Sequence, residues 1–422
     1  MKVLVSAFHC SPYAGSENYI GWSAVQCLAR DHDLWVLTSG RNRPDVERAR
    51  AEGLVPANTC FFYANRFREW HPNRMKARLQ SWTEYRDYSR DILALARTLH
   101  QSVHFDLVHH VTVATWRVAS PLWQLGIPFV FGPIGGHTNC PLRLLPSLSP
   151  AAAGFELLRT ASNLVSRISP SVRACVRNAA HIFTPDAETG ALMVRMRGST
   201  RGVSSLSHAF FSEATIQAFA CHGQARQPDG PLRIFAGGNL IGTKGVALAL
   251  WALARVKKAG VKFRYRLGAN GPEVAHLKRL AARLDLSHDV LFADDLHGED
   301  YRRELGVTHV FLLPSLRESA GLTMMEGMLS GCVPIVADCG GPGIIVTGDC
   351  GYKIPVISRK QMVDQIAKTI MAIDRDRNII LEKGRAASQR IATGFSEDAY
   401  RRTLNETYGL VTKQFREQND SR

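Results

Sequence analysis

Two glutamates eight residues apart, Glu318 and Glu326, lie in a segment rich in small residues. Glu318 follows a β-prone run, and Glu326 lies in the helical pattern that begins near Gly321. The first turn of a helix presents unpaired N–H groups and the positive end of the helix dipole, which favour a bound anion. A carboxylate farther along the helix can accept hydrogen bonds from ribose hydroxyls. The segment therefore predicts a site for a nucleotide diphosphate.

Each residue of this segment also has an ordinary structural interpretation. Gly321 alone is equally consistent with a turn glycine, and two glutamates at this spacing occur by chance about once in a chain of this length. The context favours a binding site, because a strand, a loop and a helix start follow one another in that order.

Alternating strands and helices position these residues. A β-prone run at Val3 to Phe8 precedes a small-residue loop, a helical pattern and a second buried run at Leu34 to Thr38, which is typical of a parallel sheet. The same alternation restarts at Leu232 to Ala236. We therefore predict the α/β class, with two Rossmann-like, doubly wound domains that face a central cleft. Such sheets bind ligands outside the carboxyl ends of their strands.

The predicted domain boundaries follow from where this alternation weakens. Residues 1–206 are expected to form the N-terminal domain and residues 231–395 the C-terminal domain. Residues 207–230 are polar and are predicted to be a linker. Residues 396–422 are predicted to form a helix that packs back towards the N-terminal domain.

Composition excludes several classes of protein. The chain has 422 residues, 45% of them hydrophobic and 21% charged, so it is neither a small disulfide scaffold nor mostly disordered. Its nine cysteines include no Cys-x-x-Cys pair, which is typical of reduced thiols in the cytosol. Because we find no signal-peptide pattern and no apolar run as long as a membrane span, we expect a cytoplasmic protein, at most peripheral on a membrane.

The motifs together resemble those of the retaining glycosyltransferases of family 4, which have the GT-B fold. The family pattern combines a Pro-Ser pair, two glutamates, a Gly-x-Pro strand and a Gly-Gly turn. The matching positions are Pro314-Ser315, Glu318, Glu326, Gly331 to Pro334 and Gly340-Gly341. The resemblance implies that Glu318 contacts hydroxyls of a donor sugar and that Glu326 binds the ribose of the sugar nucleotide.

The resemblance extends to the loop Phe235 to Gly245, where family members hold the donor diphosphate with an arginine and a lysine. Lys244 fits the lysine, and Asn239 stands at the arginine position. An amide lacks the charge of a guanidinium group, so either another arginine such as Arg317 takes its place or the donor site is weakened. The other expected donor-binding residues lie at the helix start and are Gly321, Leu322 and Thr323.

In the N-terminal domain the resemblance points to three more loops. Gly15 lies in a glycine loop that family members place over the diphosphate. The strand before His109 and His110 ends where the family often carries a histidine that touches the donor sugar. We assign His110 to catalysis and His109 to donor binding, and the alternative for each is a core histidine bonded to the backbone. The expected acceptor-side residues are Gly135, Gly136 and His137.

The function implied by the resemblance is a metal-independent, retaining hexosyltransferase. The acceptor hydroxyl would attack from the face that the nucleotide diphosphate leaves, and a phosphate oxygen would take the proton. Lys244 and the helix start would stabilise charge while Glu318 positions the sugar. The donor would be a UDP- or GDP-sugar bound by the C-terminal domain, with no further cofactor. The acceptor, bound by the N-terminal domain, would be a saccharide, lipid-linked in envelope, exopolysaccharide or lipopolysaccharide synthesis.

Several alternatives stay open at this point. On the same two-domain plan the chain could be a sugar-nucleotide epimerase or a phosphorylase. Asn239 is also consistent with a non-catalytic relative that binds sugar nucleotides. A metal site at Asp374-x-Asp376 is disfavoured, because this motif falls between two helical patterns and not after a strand.

The net charge of +15 indicates an anionic partner. Two clusters in the N-terminal domain, at 65–78 and 142–177, mix basic and apolar residues and are opposed only by Glu69 and Glu156. This combination suits an anionic membrane surface, and a solvated helix face is the alternative. Nucleic-acid binding is disfavoured, because we find neither a reader motif nor an aromatic stacking platform.

Overall fold

The computed structural model describes residues 1–15, 17–64, 74–223, 226–268, 270–293 and 296–420, with residues 74–82 described by their backbone alone. The chain divides into two compact units. The first comprises residues 1–137, 163–208 and 400–422, and the second comprises residues 138–162 and 209–399.

The first unit is built on a parallel sheet of seven strands within the described ranges. Its strands are β1 Lys2–Ala7, β2 Asp33–Ser39, β3 Thr59–Ala64, β4 Leu107–Thr112, β5 Phe129–Phe131, β6 His181–Thr184 and β7 Val203–Ser205. The helices with residues in this unit are α1 Glu17–Leu28, α2 Arg43–Ala51, α3 Arg74–Val103, α4 Pro150–Ile168, α5 Pro170–Asn178, α6 Ala187–Arg197 and α15 Glu397–Asp420. The strand order is β3-β2-β1-β4-β5-β6-β7, so the direction of winding reverses between β1 and β4.

The second unit is built on a parallel sheet of six strands within the same described ranges. Its strands are β8 Leu232–Gly237, β9 Phe263–Gly268, β10 Val290–Phe292, β11 Val310–Leu313, β12 Val333–Ala337 and β13 Tyr352–Ile354. Besides residues 150–162 of α4 and 397–399 of α15, its helices are α7 Glu213–Gly223, α8 Val246–Lys258, α9 Val274–Arg283, α10 Gly298–Val307, α11 Leu322–Leu329, α12 Gly340–Ile345, α13 Arg359–Arg375 and α14 Asn378–Gly394. The order β10-β9-β8-β11-β12-β13 reverses between β8 and β11.

The predicted fold class, α/β with two Rossmann-like doubly wound domains, is confirmed. Both sheets are parallel throughout. β11 and β12 are buried at every position, as expected of strands in a sheet that is covered on both faces. Among the helices that the structure describes, none combines the length and the apolar character needed to cross a membrane.

Each face of the second sheet carries its own hydrophobic core. Val310 and Leu312 of β11 pack on one face, in a core that includes side chains of α8 and α13. Phe311 and Leu313 pack on the other face, with side chains of α7, α11 and α14. Because alternate residues of one strand point to opposite faces, the continuous apolar run of β11 secures both layers of helices and fixes where the loop after it emerges.

One predicted domain boundary differs from the structure. Residues 138–162 were expected in the N-terminal domain, but they belong to the second unit. Cys140 and Leu144 are buried in the same core as Leu240 and Leu312. These apolar contacts join residues far apart in sequence, so the local pattern does not reveal them.

The predicted linker at 207–230 also differs, because it contains helix α7. Ile216 and Phe219 lie on one face of this helix and are buried in the core of the second unit. In the sequence, the polar residues around His222 interrupt the apolar pattern of this short helix, so the pattern alone does not predict it.

Arg226, which follows α7, holds the ends of two other helices. Its side chain is 7% exposed and donates four hydrogen bonds to backbone oxygens: Nε to Thr308 at 2.5 Å, Nη1 to Gly331 at 2.6 Å, and Nη2 to Leu305 and Ser330 at 2.9 and 2.7 Å. These oxygens lie at the carboxyl ends of α10 and α11, where carbonyl groups commonly lack a partner within the helix. Leu305 O also accepts from the backbone N–H of Thr308 at 3.2 Å. The guanidinium charge also complements both helix dipoles.

Replacing Arg226 with methionine removes the side-chain donor for the carbonyl oxygens of Thr308, Ser330 and Gly331, whereas Leu305 O keeps its bond from Thr308 N. Each unpaired buried acceptor costs about 1–3 kcal/mol, so we expect the unfolding free energy to fall by roughly 3 kcal/mol or more. Denaturant unfolding followed by circular dichroism measures this change. Arg264→Met, at an exposed position of β9, is the control and should change the free energy by less than about 0.5 kcal/mol. Equal losses in the two variants would contradict the capping role.

Candidate functional site

Lys244 and Glu318 form an ion pair at the carboxyl edge of the second sheet. Lys244 ends the short 3₁₀ helix Gly242–Lys244 after β8, and Glu318 lies in the loop after β11. Lys244 Nζ donates to Glu318 Oε2, and the two side chains are 19% and 16% exposed. Because the winding reverses between β8 and β11, this is the position at which doubly wound sheets bind ligands.

A close backbone contact holds these two loops together. Gly245 has a φ of +69°, and a Cβ atom there would collide with the carbonyl oxygen of Pro314, so only glycine fits. Leu316 N donates to Thr243 O at 2.8 Å, and Ser315 Oγ donates to the same oxygen at 3.1 Å. These contacts fix the relative positions of the backbone segments that carry the ion pair.

Helix α11 begins beside the pair. Gly321 is its N-cap residue, with a φ of +72°, and Leu322 is 41% exposed. Thr323 Oγ1 donates to the carbonyl oxygen of Gly237 at 3.4 Å, which ties the first turn of α11 to the loop that carries Lys244. The structure thus brings the unpaired N–H groups of a helix start to the edge where the ammonium group lies.

The start of helix α12 packs against the segment that carries Glu318. A Cβ atom at Gly340 would collide with the carbonyl oxygen of Glu318, and one at Gly341 would collide with that of Ser319. Gly341 N also donates to Glu318 O at 3.2 Å. The Gly-Gly turn therefore has a steric reason, since any side chain there would push the Glu318 loop away.

Glu326 lies in the second turn of α11, beside α10. Tyr301 of α10 donates its hydroxyl to Glu326 Oε2 at 2.8 Å. Burial raises the pKa of Glu326 to about 7, and the hydrogen bond from Tyr301 opposes this rise. Near neutral pH the carboxyl group is therefore partly protonated, and it can donate as well as accept a hydrogen bond.

Arg317, considered as a substitute for the arginine that is absent at position 239, is paired with Glu156 in this structure. Its Nε and Nη2 atoms donate to Oε2 and Oε1 of Glu156 at 3.1 and 2.9 Å, and Glu156 is 2% exposed. Asn239 is exposed, and its Oδ1 atom lies against the backbone of Gly271. Of the two cations considered for the diphosphate, the structure brings Lys244, and not Arg317, to Glu318.

His109 and His110 of β4 are core residues in this structure. Both are 0% exposed. His109 Nε2 donates to Gly132 O at 2.6 Å and its Nδ1 accepts from the Tyr408 hydroxyl at 2.5 Å, while His110 Nε2 donates to Val113 O at 3.2 Å. Burial lowers the pKa of each imidazole to about 4, so both are neutral at pH 7. The catalytic role expected for His110 and the donor contact expected for His109 are corrected to core roles, because neither ring reaches a surface.

The other candidate residues of the first unit have different surroundings. Gly15 is exposed, and a Cβ atom there would meet no described atom within 4 Å. Gly136 has a φ of +98°, and a Cβ atom at Gly135 would lie 3.1 Å from a proline ring. His137 Nε2 lies 3.2 Å from Nη2 of Arg167. The loop at Gly15 is thus open, while Gly135, Gly136 and His137 have close neighbours within the first unit and their acceptor-side role stays a prediction.

Within the described residues, no group of three His, Cys, Asp or Glu side chains is arranged to hold a metal ion. Asp374, the first acid of the Asp-x-Asp motif, forms an ion pair with Arg377 beyond the end of α13. The carboxylate that such a metal site would require is therefore bound to a guanidinium group.

Sequence reasoning missed two polar residues that support this site. Tyr301 binds Glu326, and Glu156 binds Arg317. No local pattern links Tyr301 to its partner, which lies 25 residues away. Glu156 did carry a signal, because it is the one acidic residue in a helical stretch rich in leucine and arginine.

Comparison with known proteins gives matches to glycosyltransferases. A family model described as "Glycosyl transferases group 1" matches residues 221–386, which include Lys244, Glu318 and Glu326. WcaL of Salmonella typhimurium, provisionally named as a colanic acid biosynthesis glycosyltransferase, is 26% identical over 193 residues, 43% of this chain and 46% of WcaL. The match thus spans about half the length of that relative. YqgM of Bacillus subtilis, an uncharacterized glycosyltransferase, is 23% identical over 308 residues, 71% of this chain and 77% of YqgM.

Solved structures of glycosyltransferases share the fold. The lipopolysaccharide outer core galactosyltransferase WaaB, in its apo form, has a TM-score of 0.62 and 13% identity, and the match covers 96% of this chain and 99% of WaaB. HepE of Anabaena, in complex with UDP and glucose, has a TM-score of 0.58 and 15% identity over 97% of this chain and 99% of HepE. Likeness at these identities concerns the fold alone, and it agrees with two GT-B-type parallel-sheet domains.

The raised pKa of Glu326 predicts how stability depends on pH. Between about pH 4.5, the usual value, and pH 7 the folded protein holds a proton that the unfolded chain has lost. The unfolding free energy should therefore fall as pH rises through this window, by up to about 3 kcal/mol from this group. Glu326→Gln should remove that part of the fall, which denaturant unfolding of both proteins at several pH values measures.

Tyr301→Phe is the matched variant for this prediction. It removes the hydrogen bond that favours the ionised carboxylate, so the window should extend to higher pH. If Glu326→Gln keeps the pH dependence of the wild type, the raised pKa is refuted.

Proposed function

We propose that this protein is a retaining glycosyltransferase that moves a sugar from a nucleotide diphosphate sugar to a saccharide acceptor. The observation that carries the proposal is the Lys244–Glu318 pair at the reversal point of the second sheet, beside the start of α11. A cation and a helix start suit a diphosphate, and a carboxylate suits sugar hydroxyls. The pair also lies in the part of the chain that the group 1 family matches.

In the proposed reaction an acceptor oxygen bonds to C1 of the donor sugar while the bond from C1 to the diphosphate oxygen breaks. Attack from the face of departure retains the configuration, and the leaving phosphate oxygen takes the acceptor proton. Lys244 and the first turn of α11 stabilise the charge that develops on the diphosphate, and Glu318 orients the sugar. This division of work requires neither a protein base nor a metal ion, and it leaves no catalytic role for the buried His110.

The proposed donor is a UDP- or GDP-sugar, and the proposed acceptor is a saccharide of the cell envelope, lipid-linked at the cytoplasmic face of a membrane. The donor is supported by the UDP and glucose bound to HepE. The acceptor is supported by the names of WcaL and WaaB, which refer to colanic acid and to the lipopolysaccharide outer core. Glu326 is proposed to bind the ribose, because its partly protonated carboxyl group can pair with a hydroxyl in either direction.

One observation favours a second candidate function, a sugar-nucleotide-binding protein without transferase activity. Asn239 brings no charge, and Arg317 is committed to Glu156. The diphosphate site therefore has one guanidinium group fewer than the resemblance implies. Turnover separates the two candidates, and a requirement for an added acceptor separates a transferase from an epimerase.

Lys244→Met and Glu318→Gln should separate donor binding from transfer. Lys244→Met removes the cation, so the affinity for UDP or GDP should fall about tenfold or more. Glu318→Gln leaves Lys244 without its counter-charge, so nucleotide affinity should stay equal or rise, while the transfer rate falls about a hundredfold. Calorimetry with UDP and GDP measures binding, and nucleotide release from the matching sugar nucleotide in the presence of saccharide acceptors measures transfer.

Lys257→Met is the matched control. Lys257 lies at the opposite end of α8, paired with Asp285 and Asp289, and its loss should change neither readout. A wild-type protein that binds sugar nucleotides but turns none over would support the second candidate. A protein that binds neither UDP nor GDP would refute both.

A further inference from the structure

Helix α4 presents its large apolar side chains to solvent and buries two polar side chains, Glu156 and Asn163, against the protein. Glu156 and Asn163 lie two turns apart on one face and are 2% and 1% exposed. Six large apolar side chains of the same helix are exposed by 40% or more: Phe155 40%, Leu157 51%, Leu158 73%, Leu164 57%, Val165 66% and Ile168 68%. This arrangement is the reverse of an ordinary surface helix, whose apolar stripe faces the core.

Hydrogen bonds fix the rotation of α4 about its axis. Glu156 accepts two from Arg317, at 2.9 and 3.1 Å. Asn163 Oδ1 accepts from Arg117 Nη1 at 3.1 Å. Turning the apolar face inward would break both interactions and leave a buried carboxylate and a buried amide without partners, which is strongly unfavourable.

The exposed apolar face is broad. At 100° per residue, the six side chains and the small residues Ala151, Gly154 and Ala161 fall within about half of the helix circumference. A seam against one partner helix needs only the narrower stripe of two positions per heptad. An apolar arc of this width suits a flat apolar medium better than a single helix.

Within 141–178, the segment that carries this face, the charged side chains that remain accessible are positive, while Glu273 from another segment accepts from Ser149 Oγ at 2.7 Å just before α4. The only acidic residue of 141–178 is Glu156, which is buried against Arg317. Arg173 and Arg177, one turn apart on α5, are exposed directly after the carboxyl end of α4. The other basic cluster predicted from the sequence, 65–78, lies outside the described residues and side chains.

We infer that α4 lies in the plane of an anionic lipid bilayer, with its apolar arc among the acyl chains and the nearby arginines at the level of the lipid phosphates. Apolar and cationic side chains in this arrangement are typical of interfacial helices. A second copy of this chain is disfavoured as the occupant, because it would bring the same positive charges to the interface. The solvated-face alternative considered from the sequence is disfavoured by the six exposed apolar side chains.

The inference rests on the proposed function for its setting, since a lipid-linked acceptor lies at a membrane. The binding itself does not depend on transfer, so the two can fail separately. A protein that binds anionic vesicles but no sugar nucleotide would refute the proposed function and leave the membrane surface intact. Donor binding without vesicle binding would refute the membrane inference and leave the proposed function intact.

Co-sedimentation with vesicles tests the inference. The 422-residue protein should be retained by vesicles of phosphatidylcholine with phosphatidylglycerol at low salt, and retention should fall at high salt and on phosphatidylcholine alone. Leu158→Asp combined with Val165→Asp should lower the partition coefficient at least about tenfold. Both side chains are largely exposed, so circular dichroism and nucleotide binding should stay unchanged.

Two further variants complete the test. Leu410→Asp, at a 51% exposed position of α15, is the matched control and should bind vesicles like the wild type. Arg173→Gln and Arg177→Gln should each weaken binding about fivefold. No retention at low salt, or equal retention of the double aspartate variant, would overturn the inference. So would a wild-type dimer that this variant converts to a monomer, because a second copy would then cover the face.

Discussion

The candidate site depends on one constraint, the close approach of the backbone at Gly245 to the carbonyl oxygen of Pro314. This approach lets the loop after β8 lie directly on the loop after β11. Gly340, the first residue of α12, makes an equivalent approach to the oxygen of Glu318. Where the backbones meet without side chains between them, the long side chain of Lys244 can reach the Glu318 carboxylate. The glycines thus determine how closely the backbone segments approach, and this approach places the two charged groups within reach of each other.

The fold and the proximity of Lys244 to Glu318 could be predicted because their signals are local. Strands such as β11, which serve a core on each face, read as continuous apolar runs. Lys244 and Glu318 each follow a strand closely, and a doubly wound sheet brings the ends of β8 and β11 together. The prediction needed only the order strand, loop and helix in two places, with charged residues in the loops.

The parts that could not be predicted depend on contacts between distant residues. Tyr408 lies 299 residues after His109 and binds its Nδ1 atom, and no pattern around the histidine reveals this partner. The sequence allows Arg317 as a substitute for the arginine absent at position 239. In the structure, Arg317 binds Glu156, which lies 161 residues before it. The sequence of α4 shows that its two faces differ, but only Glu156 and Asn163 decide which face turns to the protein. Glu156 therefore has two structural roles: it orients α4, and it binds Arg317 in the loop that carries Glu318.

The ion pair at the site also has a consequence for selectivity. In the structure Glu318 serves as the counter-ion of Lys244, so an incoming molecule must separate two charges that already satisfy each other. Inorganic phosphate can replace the carboxylate at the ammonium group, but it leaves Glu318 without a partner. A neutral sugar can bind the carboxylate, but it leaves the ammonium group unpaired. A ligand that carries an anion and hydroxyl groups on one frame would compensate both charges at once. In the proposed function the pair would therefore select against the separate halves of such a molecule.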